Sequence, residues 1–133
     1  MSTRRIFICA LVIVTGLALR GLGPHLGIPM GLVKYGGSAL WGAMVFFLVA
    51  IAAPEAGRPA LAAGAILIAI AVEFSRLYHT PWLDAFRLTL AGALLLGRIF
   101  SLWNIGAYAL GIAVAMLIDA RQARIAKAAA AGR

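Results

Sequence analysis

The sequence predicts an all-α integral membrane protein, a helical bundle of four full transmembrane spans plus one short helix. Three observations predict it. First, the chain of 133 residues is 64% hydrophobic and only 12% charged, whereas soluble domains are nearer half apolar and a quarter charged. Second, the apolar residues fall into runs, several of them long enough to cross a bilayer. Third, the charges gather in the tails and connections. One domain, residues 1–119, holds the spans, and residues 120–133 form a basic, alanine-rich cytoplasmic tail.

The first run, residues 6–22, follows Arg4 and Arg5 and imitates a signal peptide. Further spans follow it and no A-x-A cleavage site does, so an uncleaved first helix is expected. Arg20 can extend its charged head to the interface. Cys9, the single cysteine, lies inside this run and is expected to face lipid as a structural residue. Residues 21–31, with glycines and Pro24 and Pro29, read as an irregular loop.

The second run, residues 35–53, is free of charge and ends at Pro54. The third, residues 60–78, carries Glu73 and Arg76. The fourth, residues 88–97, would be only about 15 Å long as a helix, roughly half the hydrocarbon thickness. It is expected either to tilt across or to fold back as a re-entrant half-helix, the latter only where protein or a wet cavity shields it. The fifth, residues 99–118, is closed by Asp119. Beyond it the tail has helical propensity but cannot span.

Both tails are basic, with Arg4 and Arg5 in front and Arg121, Arg124, Lys127 and Arg133 behind. The positive-inside bias sends both to the cytoplasm, which requires an even number of crossings and therefore four. Five spans with opposed termini is the alternative. Tyr35, Trp41, Tyr78, Trp82, Phe86, Phe100 and Trp103 mark candidate interface positions.

The net charge is +8. Because the basic residues surround apolar runs, anionic lipid headgroups rather than nucleic acid are the expected partners. Charges within hydrocarbon are rare unless paired, inward-facing or functional, which singles out Glu73 and Arg76. Their spacing of three puts them on one helix face, either as a self-neutralising pair or as a site for an ion, proton or headgroup. Arg87 and Arg98 would share one face with Ala91 and Leu94, as anchors at the two ends of the short segment. Alternatively, Arg87 turns inward to Glu73 or Asp84. Asn104, Tyr108 and Gly111 fall on one helix face, suited to close packing and interhelical hydrogen bonds. His25 and His79 lack further ligands at metal-site spacing. No cofactor or metal is expected, and no nucleophile–base set suggests an enzyme.

Several stretches carry a family resemblance. YGGSALWGA at residues 35–43 resembles the Y-x-G-D-x-L-W-A pattern of a bacterial membrane family, domain of unknown function 2809. VEFSRLY at 72–78 resembles its v-E-x-x-Q-L, and FRLTLAG at 86–92 with LLGRIF at 95–100 resembles its R-x-T-x-x-G and L-L-G-x-x-F. NIGAYALG at 104–111 resembles its D-x-x-x-Y-x-x-G. That family is similar to VanZ-like membrane proteins, some of which are associated with glycopeptide (teicoplanin) resistance. The resemblance implies a bacterial inner-membrane bundle and no defined activity. This chain departs from the pattern at Ser38 and Asn104, where acids are common, and at Arg76, where glutamine is common. Each departure makes the site less negative.

The function expected from these readings is a non-enzymatic protein binding an anionic lipid or envelope headgroup within the bundle. Glu73, Arg76, Arg87, Asn104 and Tyr108 form the expected site, with the arginines meeting the anion and Glu73 orienting them. The competing expectation is a proton- or ion-coupled transporter or channel subunit using Glu73, which would be a homo-oligomer because four spans leave little room for a pathway.

Overall fold

A computed structural model of the chain describes residues 2–97 and 100–133. The described residues are helices and their connections: α1 (Ser2–Leu22), a short 3-10 turn at Pro24–Leu26, α2 (Met30–Ala52), α3 (Arg58–Ser75), α4 (Pro81–Arg87), α5 (Leu90–Leu95) and α6 (Leu102–Ala131). Four of them, α1, α2, α3 and α6, are long and apolar enough to cross a membrane.

Local chemistry sets the boundaries. Pro29 stands just before α2, and Ala53, the residue before Pro54, ends it, because a following proline disfavours the helical conformation. Proline in the first turn starts α3 and α4, where its missing N–H costs nothing. The loop expected over residues 21–31 shrinks to a 3-10 turn, with Gly27 in the left-handed region (φ 78°). The tail does not separate from the fifth run; both belong to α6, 30 residues long.

The short segment, residues 88–97, holds one short helix as expected, α5, of six residues, and a second short helix, α4, of seven residues, precedes it. Thr89 starts α5 by accepting the Gly92 N–H at 3.1 Å. At about 9 Å long, α5 cannot cross a bilayer. The break between α4 and α5 overturns the shared face for Arg87, Ala91 and Leu94, since Arg87 ends one helix and the other two belong to the next. Arg98, the expected second anchor, lies outside the described residues.

Helix α2 is central, packing against α1, α3 and α6, while α6 also packs on α3. The core centres on Phe46 and Phe47, both wholly buried and edge-to-face with centroids 5.4 Å apart. Cys9 belongs to this core, which corrects its expected lipid-facing position. A four-residue repeat puts Leu61, Ala65, Ala69 and Glu73 on the buried face of α3. One stripe of α6, from Asn104 through Tyr108, Gly111, Ile112 and Ala115 to Asp119, is likewise buried. It is apolar in the middle and polar at both ends. Outside, Phe7, Val14, Leu67, Leu110 and Leu117 are exposed, as hydrocarbon contact requires and water would punish.

Gly42 and Gly111 allow α2 and α6 to touch. A Cβ on Gly42 would stand 2.5 Å from the Tyr108 carbonyl oxygen, and one on Gly111 would overlap the Ala39 carbonyl. This close crossing brings Tyr108 and Asn104 against α2 and Glu73.

Candidate functional site

Glu73 lies on the last turn of α3 and is 0% exposed. Its Oε1 accepts hydrogen bonds from the Ser101 N–H at 2.6 Å and from Asn104 Nδ2 at 3.2 Å. Its Oε2 accepts from Arg76 Nη1 at 2.8 Å and from the Tyr108 hydroxyl at 2.7 Å. Four donors thus hold one carboxylate, and one of them neutralises its charge. Ser38 extends the network, its hydroxyl lying 3.3 Å from Asn104 Oδ1. Arg76 also donates from Nε to the Leu96 carbonyl at 2.6 Å, which ties the end of α3 to the end of α5. A charge this deeply buried is costly unless paired and hydrogen-bonded, and here both conditions are met.

Four of the five expected site residues therefore converge directly: Glu73, Arg76, Asn104 and Tyr108. Arg87 is placed differently. It is 1% exposed and donates to the Tyr78 carbonyl at 2.8 Å, to the Ser75 carbonyl at 2.5 Å and to Asp84 Oδ1 at 3.0 Å. It caps the open carbonyls at the end of α3, where a cation is favoured. Asp84, not Glu73, is its carboxylate partner. On the exposed side, Asp84 also meets His79 Nδ1 at 3.1 Å. The hydrogen bond from His79, helped by Arg87, holds the Asp84 carboxyl below its usual range against the opposing effect of desolvation. The buried Nε of Arg87 has no partner among the described residues.

Beside this network a cavity of about 740 Å³ opens between α1, α2, α5 and the start of α6. Arg20, Lys34, Arg76 and Arg87 line it together with Ser38, Asn104 and Tyr108. Among its described lining residues there is no carboxylate. The rest of the wall is apolar, including Val12, Ile13, Leu40 and Met44. Such a space suits a molecule with a negative head and an apolar body. Trp41 lies on this wall half-buried, its ring 4.8 Å from that of Tyr108. Trp82 and Trp103 are exposed, 71% and 78%.

The family described as protein of unknown function, DUF2809, matches residues 28–112. The chain belongs to that family. No solved structure matches it. The stretch of this DUF2809 protein that the family covers takes in Glu73, Arg76, Arg87, Asn104 and Tyr108, and the whole of α2 through α5.

A second ionic cluster, of which Arg58 lies inside the matched stretch and Arg5 and Asp119 outside it, sits at the opposite end of the DUF2809 bundle. Asp119, 1% exposed, receives Arg5 Nε at 2.8 Å and Arg58 Nε at 2.8 Å. Arg5 also donates to the Ala50 carbonyl at 3.0 Å. The cluster ties α1, α2, α3 and α6 together. Sequence reasoning took Asp119 only as the stop of the last run. The signal that could have found it is positional: Arg5 and Arg58 open the first and third spans, Asp119 closes the fourth, and an antiparallel bundle brings those three points to one level.

Proposed function

We propose that the protein is a non-enzymatic, multi-pass protein of the bacterial inner membrane that binds an anionic lipid headgroup in the cavity between α1, α2, α5 and α6. The observation that carries this reading is the cavity wall, with four cationic side chains and no carboxylate among the described residues. Arginine suits phosphate and carboxylate because its planar fork donates two parallel bonds. The unmet Nε of Arg87 adds a donor beside the cavity, and a buried donor left unpaired costs about 1–3 kcal/mol. Glu73 supports the site by fixing Arg76; its four partners enclose it, and it is not part of the wall. With both basic tails in the cytoplasm, the cavity lies towards the outer leaflet. The resemblance to VanZ-like membrane proteins fits an envelope ligand.

Lipid binding to the detergent-purified protein, measured by native mass spectrometry, tests the proposal. Arg20 and Lys34 are exposed, so changing both to glutamine should leave the bundle intact. At about 1 kcal/mol for each cation near an anionic headgroup, the double variant should bind phosphatidylglycerol about 30-fold more weakly than the parent. Phosphatidylcholine binding should not change. Equal phosphatidylglycerol affinity in parent and variant would remove the idea. A proton or ion flux in vesicles that Glu73→Gln abolishes would favour coupled transport instead.

A further inference from the structure

A second cavity adjoins the first. It has a volume of about 320 Å³ and is lined wholly by apolar residues, among them Leu48, Val49, Ile68, Val72, Leu95 and Leu96. Trp41 and Met44 line both cavities. The short helix α5 does the same with its two sides, Leu94 and Ala93 facing the basic cavity and Leu95 the apolar one. These residues stand between the two spaces, so a passage joining them would be a neck with Trp41 and Met44 of α2 on one side and the end of α5 on the other.

The lengths are informative. The apolar lining on α2 runs from Trp41 to Ala52, twelve residues or about 16 Å along the axis. The basic cavity reaches from Met30 to Met44 on the same helix, about 21 Å. Together they follow α2 over its full length, about 33 Å, close to the whole hydrocarbon thickness of about 30 Å. A chain confined to one leaflet reaches about half that depth.

We infer that the two cavities form one site for a lipid phosphate with a single long chain, its head among Arg20, Lys34, Arg76 and Arg87 and its chain passing the Trp41–Met44 neck into the groove between α2 and α3. The inference rests on the headgroup reading above and adds the ligand's shape. The neck separates chemistry sharply: cations and hydrogen-bond donors lie on one side, only hydrocarbon side chains on the other. A soluble anion would fill the first space and leave the second empty. Because lipid already solvates an alkyl chain, the chain's place in the groove is better read by position than by affinity.

The test uses the full chain in lipid nanodiscs with two photoreactive hexadecyl phosphates, one carrying a diazirine next to the phosphate and the other at the chain end. Adducts are mapped by mass spectrometry. The head probe should label residues around Lys34 and Ser38, and the tail probe residues around Leu48, Val49 and Ile68. Excess unlabelled hexadecyl phosphate should suppress both, and excess inorganic phosphate neither. Ile68→Trp should abolish groove labelling and leave head labelling intact; Val49→Phe serves the same purpose if that variant does not fold. Tail adducts spread evenly over the lipid-facing helices, or untouched by the competitor while head labelling is competed, would overturn the long-chain inference alone. Loss of competition at both positions would overturn the headgroup reading as well. Suppression by inorganic phosphate would identify a free anion as the ligand and overturn the inference.

Discussion

At the scale of single residues, Glu73 is the centre of the molecule's polar chemistry. Its position was legible because a lone carboxylate in an apolar run must find partners, and Arg76 three residues on was in reach. The identity of the other donors was partly legible: the face shared by Asn104 and Tyr108 followed from helical spacing, but the Ser101 N–H did not, because backbone donors leave no mark in a sequence. Arg87 was harder to read. Its partners are mainly carbonyl oxygens of Ser75 and Tyr78, exposed by the end of a helix whose stop is set by local geometry. Breaking a buried ion pair by removing one partner leaves the other charge uncompensated, at a cost of about 3–5 kcal/mol. Glu73→Ala should therefore lower stability by about that amount, as measured by chemical unfolding in detergent. A loss within error of zero would show that Arg76 and Tyr108 find other partners.

At the scale of elements, the four long helices were legible from run length and the punctuation of Pro and Gly. The form of the short segment was not, since ten apolar residues fit a tilted helix or a half-helix equally well. What decided it was Thr89, which starts a new helix by accepting the Gly92 N–H. Trp41 shows the same limit. Aromatic residues favour both interfaces and packed interiors, and only the Gly42–Gly111 crossing brings Tyr108 close enough to draw Trp41 inward. That crossing makes a sharp prediction. Gly111→Ala puts a methyl group into the Ala39 carbonyl, so α2 and α6 must separate, at a cost of about 1–3 kcal/mol of overpacking strain. The same shift should pull Tyr108 from Glu73. Chemical unfolding gives the first effect; the second would appear as faster hydrogen exchange at the Ser101 amide. An unchanged variant would mean that the helices are not in contact there.

For the molecule as a whole, the polar groups occupy two levels joined by an apolar middle. The Glu73 network sits at one level and the Arg5–Asp119–Arg58 cluster at the other, separated on α6 by the distance from Tyr108 to Asp119, about 16 Å. The second cluster was invisible to sequence reasoning because its members are 114 and 61 positions apart and no local period links them. Since Arg5 and Asp119 meet, the start of α1 and the far part of α6 share one end of the bundle, as an even number of crossings demands. The proposed orientation puts that end in the cytoplasm. A fluorescent protein fused after Arg133 should then mature, and alkaline phosphatase at the same place should stay inactive. The reverse pattern would invert the molecule and move the basic cavity to the cytoplasmic leaflet.

The Glu73 network also constrains how the protein is made. Its partners Ser101, Asn104 and Tyr108 come 28, 31 and 35 residues later in the chain. At ordinary synthesis rates the last of these leaves the ribosome about 2–7 s after Glu73 does. During that interval the third span has left the ribosome with an acid and only Arg76 to shield it. The insertion machinery must keep this helix close until the final one emerges, so the order of translation makes Arg76 the carboxylate's first companion and the rest of the bundle its permanent one.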